Sequence, residues 1–164
     1  MGTPATVFAD DPSAPVQAAF ARIGRERMRE VPLCHAGLSV ETVGFTHWDG
    51  LWVGVLITPW AMNLMVLPGG SAAFAPVRVG HTVEWAFPSG AYAFMGHQED
   101  GLGEYHYCPL FSPMEAFEDQ AAARAVAEEV MQSLFAAPVA PATAPGGMDR
   151  RAFFRRALGR GAPA

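Results

Sequence analysis

Apolar residues recur along this chain at two different spacings, and the switch between them marks its organisation. Near the start, Val16, Ala19, Phe20 and Ile23 fall at helical intervals, with Asp11, Pro12 and Ser13 just ahead as cap and first-turn residues. This predicts a helix over about 12–28, preceded by a frayed leader at 1–11. Its far end is basic, with Arg22, Arg25, Arg27 and Arg29 around Glu26 and Glu30.

From about 39 to 110 the period shortens to that of strands. Val43 and Phe45 fall on one side of a first strand, and Asp49-Gly50 is a strong hairpin turn. Residues 51–57 are almost continuously apolar, which predicts a central strand covered on both faces. Pro59 ends it, and 63–67 form a further short strand stopped by Pro68, Gly69 and Gly70. Val77, Val79, Val83, Trp85 and Phe87 then alternate with Arg78, Thr82 and Glu84, the pattern of a half-exposed strand. Ser89-Gly90 turns into Tyr92 and Phe94, and Asp100-Gly101 into Tyr105 and Tyr107. A second helix is predicted over 116–135, its buried stripe built on Val126, Val130 and Leu134. Strands joined by tight hairpins favour an antiparallel sheet of about five to six strands. Helices at both ends can cover one face, so the fold class is α+β.

Beyond the second helix the pattern stops. Residues 136–147 are nearly all Ala, Pro and Gly, a spacer with no means of building a core, and 148–164 form a basic tail. The expected organisation is one domain over 1–135, then spacer, then tail.

Charge sharpens this division. The net charge of −5 combines a tail of +4 over 149–164 with a body of −9 over 1–148. An acidic body argues against nucleic acid as partner, since phosphate contacts need a basic face, and it would attract a basic peptide. Two Cys far apart make neither a disulfide framework nor a zinc motif. The start lacks a secretory pattern and no apolar run reaches membrane-spanning length, so a cytoplasmic location without stable membrane insertion is expected.

Two runs, 58–64 and 108–114, are rich in Trp, Phe, Met and Pro. Exposed, such residues grip an apolar peptide; buried, they fill a core. Chemistry has weaker candidates. Cys34, His35, His106 and Cys108 could converge on a metal if their segments met, but no pair has zinc-site spacing. Cys108 could act as a nucleophile with His106 as base, or be a buried apolar thiol. Ser112 lacks the glycines of a nucleophile elbow, and 101–103 lack the rest of a dinucleotide loop. Asp49, Glu99, Asp100 and Glu104 are acids at hairpins, where such residues usually form solvated turns. No catalytic residue, metal site or cofactor is assigned.

At the aromatic runs the chain resembles a known family, the nickel-iron hydrogenase assembly chaperones of the HybE type. The resemblance lies in 52–64, in Phe87, Pro88, Ser89 and Gly90, in 101–105 and in 108–114, and it spans roughly 12–135. Ala61 and Pro109 depart from it, standing where the family carries Phe and Ser. The resemblance implies a compact two-layer α+β sandwich like that of secretion chaperones. It also implies a cytoplasmic, non-enzymatic accessory protein that binds a hydrogenase precursor subunit, or its twin-arginine signal peptide, before export.

On this basis Trp60, Met62, Asn63, Leu64, Phe111, Ser112, Pro113 and Met114 are the expected client-binding residues. Glu84, Glu99, Asp100 and Glu104 are the candidate acids to receive an Arg pair. The stretch 149–155 itself resembles a twin-arginine motif, so Arg150, Arg151, Phe153 and Phe154 form either a pseudo-ligand for the same groove or a plain basic extension.

Overall fold

A computed structural model of the protein describes residues 7–28, 30–32, 34–70, 74, 75 and 77–136. The spacer and tail expected from 136 onward, with Arg150, Arg151, Phe153 and Phe154, lie outside the described residues, apart from Ala136 itself.

The first helix, α1, spans Ser13–Glu26 and buries Val16, Ala19, Phe20 and Ile23, as their spacing requires. Asp11 accepts the Ser13 amide at 2.8 Å, holding the first turn. The helix stops short of Met28 because the Arg27 and Met28 amides both fold back onto the Ile23 carbonyl. Within the expected leader, Phe8 is tied to the sheet: its amide donates to Pro68 and its carbonyl accepts the Trp52 indole N–H at 2.8 Å.

Six strands follow: β1 (Glu41–Trp48), β2 (Leu51–Ile57), β3 (Met62–Pro68), β4 (Thr82–Phe87), β5 (Gly90–Glu99) and β6 (Gly103–Phe111). They form one sheet in the order β1-β2-β3-β6-β5-β4, with every neighbouring pair antiparallel. Asp49 and Gly50 both have positive φ, the geometry of the tight hairpin turn that this dipeptide favours. The second helix, α2, spans Gln120–Phe135. It starts later than periodicity suggested because Asp119 is the N-cap, its carboxylate accepting the Ala122 amide at 2.8 Å.

The α+β class holds, while the helices take opposite faces instead of sharing one. Val53, Val55 and Ile57 of β2 pack with Val126, Val130 and Leu134 of α2. Leu56, Met65 and Leu67 pack with Val16, Phe20 and Ile23 of α1. Alternation along β2 and β3 sends successive apolar residues to different helices, so both strands are apolar almost throughout.

Val43 and Phe45 do not share a side. The β1–β2 register shifts between Val43 and Thr46, so Gly44 and Phe45 together oppose Gly54. Gly44 takes φ 69°, which a glycine adopts freely, and Phe45 swings to the α1 face and lies over Gly54. Nor do Val77 and Val79 belong to a strand continuous with Val83. Gly80 has φ 90° and the His81 amide turns back to Arg78, leaving Val79 exposed before β4 begins.

Candidate functional site

The turn between β2 and β3 sets out the site. Thr58 closes it twice: its hydroxyl accepts the Ala61 amide at 3.0 Å and bonds the Ala61 carbonyl at 2.9 Å. Pro59 and Trp60 are thereby pushed to the outside of the hairpin. His35 braces this turn, its amide donating to the Pro59 carbonyl at 2.8 Å. Its Nδ1 accepts the Gly37 amide, so Nε2 carries the proton and donates to Phe117 at 2.7 Å. The Trp60 ring lies along α1 at Gly24, where a β-carbon would stand 3.4 Å from it.

On the α1 face, beyond the area the helix covers, an open cleft of about 370 Å³ is lined by Trp60, Ala61, Asn63, His97, Tyr105, Tyr107, Pro109 and Ser112. Tyr105, Tyr107 and Pro109 alternate along β6 and so share a face. His97 joins them from β5 through the His97–Tyr105 pairing, its ring 5.6 Å from Tyr105 and 6.4 Å from Tyr107. Trp60 is also a wall of a second, larger opening of about 790 Å³, bounded by α1 and the segment around Cys34 and Val40. The two clefts therefore adjoin across one indole ring.

The electrostatics differ from expectation. Glu99 is buried and sits 2.7 Å from Arg27 and 3.6 Å from Arg22. Arg22 also donates to the Asp100 carbonyl at 2.6 Å, so the basic end of α1 is spent on the β5–β6 hairpin. Asp100 is exposed at that turn, Glu84 is exposed on β4, and Glu104 is half-buried with one carboxylate oxygen enclosed. None of the four acids lines the cleft. Burial, and then the Glu99 carboxylate, push the Tyr105 phenol well above its ordinary range, so it remains a neutral hydrogen-bonding group.

The expected client-binding residues divide. Trp60, Asn63 and Ser112 line the cleft. Met62, Leu64 and Met114 do not: all three are buried in the core with α2, Met62 and Leu64 because their positions on β3 point to that face, Met114 from the segment after β6. Phe111 is half-buried against Phe117, rings 5.0 Å apart, and Pro113 follows a cis peptide bond beside it. His97, Tyr105, Tyr107 and Pro109 were missed, although the alternation of Tyr105, Tyr107 and Pro109 was visible and only their strand neighbours were not.

The metal and thiol candidates also separate. Among the described residues no group of three or more His, Cys, Asp or Glu side chains could hold a metal ion. Cys108 and His106 are both buried on β6, but His106 has no nitrogen to spare as a base. Its Nδ1 accepts the Trp85 indole N–H at 3.0 Å, so Nε2 donates to the Ala75 carbonyl at 2.9 Å. Phe74 stacks on the ring at 4.2 Å. Burial lowers the His106 pKa, keeping this neutral tautomer in place.

A model of the family described as NiFe-hydrogenase assembly, chaperone, HybE matches residues 11–156 of this chain. The chain belongs to the HybE family of hydrogenase assembly chaperones. It is 41% identical over 145 residues to the hydrogenase expression/formation protein HupT of Azotobacter chroococcum mcd 1, covering 88% of this chain and 94% of HupT. It is 40% identical over 152 residues to protein HoxT of Cupriavidus necator, covering 84% of each. The solution structure of HybE from Escherichia coli superposes with a TM-score of 0.65 at 26% identity, over 88% of this chain and 89% of that one. HybE family membership makes the chain a hydrogenase-maturation chaperone. No helix among the described residues is long and apolar enough to cross a membrane.

Proposed function

We propose that the chain grips a hydrogenase precursor polypeptide in the cleft around Trp60, before export and in the cytoplasm, and does no covalent chemistry on it. The observation that carries this reading is the cleft itself. It sets Trp60, Tyr105, Tyr107 and His97 beside an amide and a hydroxyl, Asn63 and Ser112, with no carboxylate in its lining. Rigid aromatic walls with a few polar groups suit an extended peptide, whose backbone amides need partners while its side chains need apolar surface. The signal peptide of the precursor is the proposed occupant. Its Arg pair would stack on the faces of the Trp and Tyr rings, since none of the acids first assigned to it lines the cleft. The basic tail at 148–164 competes for the cleft as a tethered pseudo-ligand present at about millimolar effective concentration.

The test is a titration of the signal-bearing precursor peptide, followed by Trp fluorescence and calorimetry. Trp60→Ala and Tyr107→Ala are expected to weaken binding by on the order of 2 kcal/mol each, about thirty-fold, with folding retained. Unchanged affinity in both folded variants would remove the cleft from the binding surface.

A further inference from the structure

The sheet ends differently on its two sides. On β1 the outer edge is interrupted by the bulge at Gly44 and Phe45, and the Thr42 amide donates to the Gln17 side chain at 3.2 Å. Both are devices that stop another strand from pairing there. On β4 neither is present. Phe87 pairs with Gly90 at the hairpin, and the His81 carbonyl accepts the Gly96 amide beyond the far end. Antiparallel alternation then gives the β4–β5 ladder to Val83, Trp85 and Phe87. The amides and carbonyls of Thr82, Glu84 and Ala86 point outward, all three residues are exposed, and no described residue bonds those groups.

The side chains along this edge are sorted by face. Val83 and Trp85 are half-buried at the rim of the core under α2. Glu84 stands exposed on the other face between Thr82 and Ala86, without a cation paired to it among the described residues. A strand added here would place every second side chain against Val83 and Trp85 and the alternate ones beside Glu84. We propose that the outer edge of β4 is a strand-addition site for an extended client segment in which apolar and basic residues alternate. This rests on the reading of the chain as a polypeptide-binding chaperone and adds a second surface to it, one that recognises backbone.

The pairing is antiparallel, and it makes a prediction about single atoms. Client residues opposite Thr82, Glu84 and Ala86 lie on the Glu84 face, so the basic residues turn their N–H groups to the edge and the apolar residues turn theirs away. The probe is an acetylated and amidated peptide of alternating Val and Arg, titrated onto the full chain. N-methylation of the Arg amides is expected to abolish binding, and N-methylation of the Val amides to leave it within about two-fold. Ala86→Pro removes one outward N–H and leaves the β4–β5 ladder intact, so it should weaken the peptide roughly five-fold or more. Glu84→Arg should weaken it further, whereas Trp60→Ala should not move it.

Equal binding of the two methylated peptides overturns the proposal even if Ala86→Pro fails to fold. So does loss of the peptide in Trp60→Ala, which would place it in the cleft. Two further results overturn it. One is tighter binding to a chain ending at 136, which would make the C-terminal residues the native occupant of the edge. The other is an affinity that falls as dimers accumulate, which would make it a second copy. Should precursor binding respond to Trp60→Ala while the Val/Arg peptide never binds, the edge proposal fails and the cleft reading stands.

Discussion

Gly54 is the sharpest place to test how the bulge organises the sheet. A β-carbon there would lie 2.5 Å from Cγ of Phe45, well inside van der Waals contact. The clash is with the root of a ring, whose backbone is held by the bulge and whose far edge packs on the α1 core, so it cannot swing clear cheaply. Gly54→Ala should cost about 2 kcal/mol, in the middle of the range for overpacking. With a urea m-value of about 2 kcal/mol/M for a domain of this size, the unfolding midpoint falls by about 1 M. Phe45→Ala alone should also cost about 2 kcal/mol, less than the usual loss for a fully buried Phe because this ring is half-exposed. In the double variant the three ring atoms nearest the new methyl group are gone. The pair should then cost about 2 kcal/mol rather than about 4, a coupling of about 2 kcal/mol in the double-mutant cycle. Urea unfolding followed by circular dichroism reads all four midpoints. Additive losses would refute the reasoning, since they would mean that Phe45 does not lie over Gly54 and that the bulge does not set its face.

Acid should destabilise the fold in two stages, read as the urea midpoint against pH. Burial holds His106 below its ordinary pKa, so the unfolded chain takes up that proton first; its contribution is full above about pH 6.5 and is lost as pH falls below that, a step that His106→Gln should remove. Glu41 is held low by its bond to Arg124, so its contribution is present above about pH 4.3 and is lost as pH falls through its folded pKa, a step that Arg124→Gln should diminish. Asp119→Ala should cost about 1 kcal/mol by removing the cap of α2, again seen in the urea midpoint. Under native conditions a thiol reagent should label half-buried Cys34 well before buried Cys108, and peptide mapping of the modified chain checks the order.

Much of the fold was legible along the chain because its causes are local. The α1 stripe and the Asp49-Gly50 turn follow from spacing and from turn chemistry that acts within a few residues. The unbroken apolar run of β2 likewise announced a strand buried on both sides. Errors fell where a cap, a turn or a bulge cut across the apolar period. Asp119 capped α2 later than its apolar period suggested, and Gly80 ended an alternation that read as one strand. At the bulge, one extra residue reversed which face Phe45 serves.

The site was legible in part, for the same reason. Sequence marked Trp60, Asn63 and Ser112 because aromatic, amide and Pro-rich turn residues cluster there, but it marked Met62, Leu64 and Met114 with equal weight. Residue type alone cannot separate a Met that lines a groove from one that fills a core; that depends on which side of a strand faces a helix. His97 lies beside Tyr105 only because β5 and β6 pair in one register, and Glu99 is lost to a client only because α1 brings Arg27 to it. The sequence by itself determined the elements, the acidic body with its basic tail, and the resemblance to hydrogenase chaperones, since these rest on neighbours along the chain and on composition. Which face each side chain serves, which charges are already paired and which sheet edge stays open were decided by tertiary structure, because each depends on groups far apart in sequence meeting across a strand or a helix.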